Sequence, residues 1–200
     1  YTIIDVQNQK LQETLSKTCD NQPFINQAKM VLIFCADFQK WYDLFNYENC
    51  NPRKPGVGDL LLATTDATSA AQNAVVAAES LGIGSCYIGD ILEQHDLNRE
   101  LLHLPEYVVP VCMLVLGYPA DDHFKRQKPE RCKLEDIVCV DHYQRKNEQE
   151  LKNMFEHKVG NKKLSEWTEA FCKRKYNSDF SKEMTHSVQK YIDQFKSEAD

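Results

Sequence analysis

An α+β fold, with a short sheet built around one long helix, is what three stretches of this 200-residue chain predict. Between Gly58 and Gly89, the run Leu60 to Leu81 contains neither Gly nor Pro. Within it Leu62, Ala67, Ala70, Ala71, Ala74, Ala77, Ala78 and Leu81 recur at the spacing of a helix face. KMVLIFCAD (Lys29 to Asp37) and VVPVCMLVL (Val108 to Leu116) are nearly continuous apolar runs of strand length, as expected for strands covered on both faces. At ~1.5 Å per residue the helix spans about 30 Å, the width of a small domain, and so forms the spine of the fold.

Asp59 is the expected N-cap of that helix, and Gly82 with Gly84 supplies the left-handed positions that end it. A face of alanines lets other backbone approach closely, which suits a helix packed on several sides. Ser85-Cys86-Tyr87-Ile88 then reads as a short buried strand, with Cys86 in the core. It ends at Gly89, where a missing side chain permits a tight turn or the close approach of a ligand.

Taken in order, Tyr1 to Val6 has a strand pattern, and Asn8 to Cys19 is an amphipathic helix with Leu11 and Leu15 inward. Lys29 to Asp37 belongs in the middle of the sheet. Phe38 to Phe45 is a short aromatic helix in which Trp41 and Tyr42 serve packing, and Asn46 to Val57, with Pro52, Pro55 and Gly56, is a loop suited to a mobile flap. Asp90 to Leu102 is helical and ends before Pro105. Pro110 inside the second apolar run implies an edge position or a bulge. A basic stretch, HFKRQKPER, follows Gly117-Tyr118-Pro119. Asp136 to Val140 reads as a third short strand, and Glu148 to His157, Leu164 to Arg174 and Ser178 to Phe195 as polar-faced helices, with Ser178 and Ser181 as N-caps. Trp167, Phe171, Phe180, Met184, Val188, Tyr191 and Phe195 give the last helices more apolar surface than a small monomer core accommodates.

With 42% apolar and 27% charged residues the chain suits one soluble domain, and a net charge of −6 argues against a nucleic-acid surface. No apolar run reaches the ~20 residues that span a bilayer, and no secretory signal opens the sequence, so the expected location is cytoplasmic. The eight cysteines are scattered without C-x-x-C or metal-ligand spacing and read as thiols in a reducing compartment. Phosphate-binding glycine loops and a Ser-His-Asp order are absent from the sequence, which fits an enzyme whose chemistry is carried by a cofactor.

AAQNAVVAAESLGIGSCYIGDI, LHLPEYVVPVCMLVLGYPAD and the tail FCKRKYNSDFSKEM together resemble the FMN-dependent nitroreductase family, in the branch of larger NAD(P)H-dependent nitroreductases and flavin reductases. The resemblance covers almost the whole chain. It implies a nitroreductase-like fold: a mixed central sheet flanked by helices around the long helix, with a C-terminal helical extension. Residues 1–140 would be the flavin-binding core and 141–200 an arm packing on the partner subunit of a homodimer.

The same resemblance implies the site. Gln22, otherwise a polar linker residue, would contact the pyrimidine edge of FMN with its amide. The turn Tyr87, Ile88, Gly89 and Asp90 would face the flavin, with the backbone N–H groups of Gly89 and Asp90 directed at N5 and O4. Lys125, Arg126 and Lys128, with Arg131 behind them, would hold the FMN phosphate. The family's Arg-x-Ser-x-Arg phosphate grip does not occur in these residues. The chain is therefore read either as a fragment or processed form, or as departing from the family at that grip. No side chain is expected to act as catalytic acid or base. The implied activity is ping-pong hydride transfer from NADPH or NADH through FMN to nitroaromatics, quinones or free flavin. The alternatives are a non-catalytic dimeric flavin-binding relative and a flavin-dependent dehalogenase.

Overall fold

The computed structural model describes residues 1–120 and 127–196. The chain separates into two compact units, one of Tyr1–Ala120 with Lys182–Asp200 and one of Asp121–Ser181, so the division expected between 140 and 141 falls inside the second unit.

The first unit holds a four-stranded sheet in the order β1-β2-β4-β3, formed by β1 (Thr2–Asp5), β2 (Met30–Asp37), β3 (Gly84–Ile88) and β4 (Val108–Gly117). The class is α+β as expected, but the sheet is not mixed: every pairing is antiparallel. β2 and β3 run in the same direction, but β4 lies between them and runs opposite to both, so no parallel pair arises among the described strands.

β2 is central, as its unbroken apolar run requires. β4 is central too, and Pro110 is tolerated there because the register shifts opposite Phe34 and Cys35, which pair with Cys112 and Pro110. The bulge leaves the neighbours Val111 and Cys112 packed with the same cluster, whereas elsewhere successive residues alternate. Val31, Ile33, Cys35, Met113 and Val115 thus face one core layer, and Phe34, Cys112 and Leu114 the other.

β3 corrects an expectation. It lies at the sheet edge with Ser85, Cys86 and Tyr87 exposed and only Ile88 buried, so Cys86 is not a core residue. The proposed third strand at 136–140 is also absent. Leu134–Ile137 is a single helical turn, started by the Asp136 carboxylate accepting from Lys133 N–H at 3.2 Å. No described strand offers Val138 to Val140 a ladder, and Val138 and Val140 are exposed.

The spine is α4 (Val57–Ser80), 24 residues long. Ala63, Ala67, Ala71 and Ala78 are buried, and the helix packs on β2 and β4, where Ala67 and Ala71 meet Phe34 and Leu114. Small side chains here bring helix and sheet close together. The helix is buried on one stripe only, for Leu61, Leu62, Val76 and Leu81 are exposed. Asp59 stands at the third helical position, not the cap. Its carboxylate accepts from Gly56 N–H at 2.8 Å and pairs with both terminal nitrogens of Arg53. Gly82 has φ +73°, the left-handed stop expected, while Gly84 is already in β3.

The opposite sheet face is covered from α1 (Gln9–Thr18), capped by the Asn8 side chain at 2.9 Å from Lys10 N, and α2 (Pro23–Gln27). Beyond β2, α3 (Gln39–Tyr47) sets Tyr42 edge-on against Tyr107 and leaves Trp41 exposed. The helix expected over 90–102 is broken. A 3-10 turn spans Asp90–Leu92, Gln94 takes a left-handed φ of 50°, and α5 (His95–Leu102) follows.

In the second unit, α6 (Leu134–Ile137), α7 (Glu148–Phe155) and α8 (Leu164–Phe171) are short. α7 and α8 border an apolar groove of about 950 Å³, lined by Leu151, Phe155, Leu164 and a Trp167–Phe171 stack. α9 (Asp179–Asp193) is capped by Ser178, whose hydroxyl accepts from Ser181 N at 3.2 Å; Ser181 itself lies within the helix. From Lys182 onward α9 belongs to the first unit, and Tyr191 and Phe195 are buried in that unit's own core with Tyr107 and Ala36.

Candidate functional site

Gln22 and the turn after β3 meet in space. Gln22 Nε2 donates to Asp90 Oδ2 at 3.0 Å, across 68 positions of sequence, and to the Cys19 carbonyl at 2.9 Å. The local chain explains why the amide is available. Gln22 occupies the N-cap position of α2, but Pro23 follows it and its side chain makes no capping bond. Asp20 and Asn21, both at positive φ, turn the chain so sharply that Gln22 N–H reaches back to Ser16 O at 2.8 Å.

Two buried amides hold this arrangement. Gln12 Nε2 donates to Ile25 O at 2.8 Å and Ala28 O at 2.9 Å, pinning the middle and the C-terminal end of α2 to α1. Asn98 is fully buried and donates to Ile91 O at 3.0 Å and Glu93 O at 2.6 Å, fixing the 3-10 turn that Asp90 begins. Neither residue was singled out from sequence. A polar side chain carries no local sign that it will be buried.

The turn itself is open. Gly89 is exposed, and a Cβ built there would meet no atom within 4 Å. Its φ of −81° and ψ of −20° are ordinary, so glycine matters here for the space above it and not for backbone freedom. No backbone hydrogen bond among the described residues uses the N–H of Gly89 or Asp90, although both carbonyls accept within the turn. Such first-turn donors need an outside acceptor or water. Ile88 points into the core, so only its backbone can contribute. Tyr87 lies on the opposite side of the strand, with its hydroxyl 3.3 Å from Gln72 Oε1 on α4.

Charge near the turn is acidic. Burial and then Asp90 push the Cys86 thiol up. Glu93 is raised to about 7, chiefly by burial, with Glu183, Asp90 and Asp20 adding to it. The phosphate contacts expected of Lys125, Arg126 and Lys128 fall on the second unit. Lys125 and Arg126 lie outside the described residues, and Lys128 is exposed. Arg131 lines a polar cavity of about 300 Å³ with Lys133 and His157, alongside the acids Glu130, Asp136 and Glu156. Among the described residues no group of three or more His, Cys, Asp or Glu side chains could hold a metal ion, and no helix is long and apolar enough to cross a membrane.

A pair of uncommitted N–H donors beside an amide whose oxygen is free of described partners suits the edge of a planar, hydrogen-bonding ring. The fold is α+β, and the candidate site is an open turn at the end of an edge strand. The model of the Nitroreductase family matches residues 2–118, and the chain belongs to that family.

Among its relatives, the FMN reductase (NAD(P)H) of Bacillus subtilis is 38% identical over 133 residues, 64% of this chain and 52% of that protein. An oxygen-insensitive NADPH nitroreductase of Salmonella typhimurium is 38% identical over 122 residues, 60% of this chain and 49% of that one. The match therefore spans about half the length of these curated relatives. The solved structure of B. megaterium NfrA2 superposes with a TM-score of 0.77 at 32% identity, covering 98% of this chain and 81% of that one.

Proposed function

We propose that this chain is the core of an FMN-dependent NAD(P)H oxidoreductase whose flavin edge is received by Gln22 and the Tyr87–Asp90 turn. The observation that carries this reading is the contact of Gln22 with Asp90 beside N–H groups that no described backbone acceptor uses. The activities named for the relatives support it. Bound FMN would accept a hydride from NADPH or NADH and pass electrons to a nitroaromatic, a quinone or free flavin in a ping-pong cycle.

The protein's part is orientation and charge stabilisation. The Gly89 and Asp90 N–H groups act as fixed donors where negative charge gathers on reduction, and fixed dipoles do this without reorganisation. The Gln22 amide, held by Asp90 and Cys19 O through its nitrogen, presents its oxygen as an acceptor. Gly89 leaves room for close approach. Loose substrate choice follows from a shelf that is open above. Lys125, Arg126 and Lys128 are proposed to contact phosphate as solvated cations. We further assign the active form to a homodimer in a reducing cytoplasm. The exposed apolar side chains of α4 support the dimer.

The test is an absorbance spectrum after incubation with FMN and desalting, followed by anaerobic NADPH or NADH. Retained flavin bands that bleach support the oxidoreductase. Retained bands that do not bleach indicate a binding protein without reductase activity, and loss of all flavin on desalting removes the FMN reading for this chain.

A further inference from the structure

The most heavily bonded polar junction outside the candidate site lies where α9 meets the segment joining the 3-10 turn to α5. Four residues of α9 and its C-terminal end grip three consecutive positions, Gln94 to Asp96. Glu183 Oε1 accepts from Gln94 N–H at 3.1 Å and from its own helix neighbour Ser187 at 2.6 Å, while Ser187 Oγ accepts from His95 N–H at 3.0 Å. Lys190 pairs with Asp96, and the Gln194 amide lies 3.0 Å from His95 Nε2. Apolar contacts lie beneath: Tyr191 stacks edge-on against His95 at 4.3 Å, and Phe195 packs on Tyr107.

Within this junction two buried oxygens have no hydrogen-bond partner, the Tyr191 hydroxyl and Glu183 Oε2, and of these the carboxylate oxygen can only accept. Glu183 is anchored at 3.1 Å to the N–H of Gln94, the residue after Glu93, and the Glu93 carboxyl, only 6% exposed, interacts with Glu183 there. Two ionised carboxylates cannot satisfy each other, because both are acceptors only, but one proton between them makes a hydrogen bond. We infer that a protonated Glu93 carboxyl donates a hydrogen bond to Glu183 and so fastens α9 to the Glu93–Asp96 segment, making this docking a pH-sensitive lock.

The surroundings support the inference. Glu93 faces Glu183 from α9, Asp90 from the 3-10 turn and Asp20 from the turn after α1, with the buried Cys19 thiol, pushed up to about 12, also near. No cation faces it. The positive groups of the junction are placed elsewhere: Lys190 on Asp96, and Arg99 near Tyr191 and Leu104 O. These acids and burial together raise Glu93 to about 7.

The sign follows directly. A carboxyl raised in the docked state contributes stability that is fully present below its ordinary range and is lost as pH rises through the docked value. Opening of α9 therefore increases about tenfold per pH unit between about pH 5 and about pH 7, and levels off above that. Asp96, held down to about 2 by Lys190 and His95, stays ionised throughout and adds no slope in this window.

The lock does not depend on the flavin reading, and it is tested on the intact chain by hydrogen exchange of α9 peptides, corrected for intrinsic rate, at about pH 5 and about pH 7. The expected result is at least a tenfold rise in opening for the wild type and no rise for Glu93→Gln, which keeps a hydrogen bond and cannot ionise. Equal opening at both pH values in the wild type, or an undiminished rise in Glu93→Gln, overturns the proposal. Should the variant fail to fold, carbon NMR of the wild-type Glu carboxyls decides. A Glu93 titration centred near neutrality supports the lock, and one in the ordinary carboxylate range refutes it.

Discussion

Asn98 shows how one buried amide can hold a site that it does not touch. Its two N–H groups satisfy the carbonyls of Ile91 and Glu93. Replacing it with Leu, close in volume, leaves both oxygens buried without a donor, and each such loss costs roughly 1–3 kcal/mol. Asn98→Leu should therefore destabilise the chain by about 2 kcal/mol or more in urea unfolding. A change under about 0.5 kcal/mol, the usual size for a surface substitution, would mean that water replaces the amide. Gln22 predicts a different outcome, because it is half-exposed and its side chain takes no part in capping α2. Gln22→Ala is expected to leave stability within about 0.5 kcal/mol of the wild type and to weaken FMN retention about tenfold, one charge-assisted or neutral hydrogen bond's worth. Flavin affinity measured by fluorescence quenching checks it, and unaltered affinity would detach Gln22 from the ligand.

Elements were legible in the sequence to the extent that local pattern reports burial. β2 was readable because eight residues with hardly a polar interruption can only lie between two covered faces. α4 was readable because nothing in Leu60 to Leu81 breaks it. The pattern of β3 predicts a buried strand, but five residues cannot reveal that a strand has a neighbour on one side only. The run at 136–140 predicts a strand, but an apolar run becomes a strand only when a ladder partner exists. The Gln22–Asp90 contact joins positions 68 apart, and periodicity says nothing at that range; the family resemblance pointed to both residues. Gln12, Glu93 and Asn98 were missed for the same reason, since their partners are backbone groups or acids fixed by the fold. At this scale the alanine stripe makes its own prediction. Ala67 is fully buried against the sheet, so Ala67→Leu must push α4 off Phe34 and Leu114 and should cost about 1–3 kcal/mol. Gly82→Ala, at φ +73° with open space around it, should cost about 1 kcal/mol from backbone strain alone. Paired unfolding curves of the two variants separate packing from conformation.

For the whole molecule, the outward side of α4 carries the argument. Leu61, Leu62 and Val76 are 64%, 70% and 57% exposed on a helix whose inner stripe is already satisfied by the sheet. Large apolar side chains grouped on one exposed helix mark an association surface, and the simplest closed assembly buries the same patch on both copies. If two copies associate through α4, Leu62→Glu with Val76→Glu places like charges opposite one another across the two-fold axis. The wild type should then elute with the mass of two chains in light scattering at about micromolar concentration, and its melting temperature should rise with protein concentration, because association stabilises the folded state by mass action. The double variant should elute with the mass of one chain and melt at a temperature independent of concentration. Neither substituted residue is buried in the first unit, so a folded single chain is the expected product. Circular dichroism matching the wild type distinguishes it from an unfolded one. A wild type already at the mass of one chain would remove the dimer and leave the exposed leucines without an interface. A double variant that stays at two chains would move the interface off α4, with the apolar groove between α7 and α8 as the next surface to mutate.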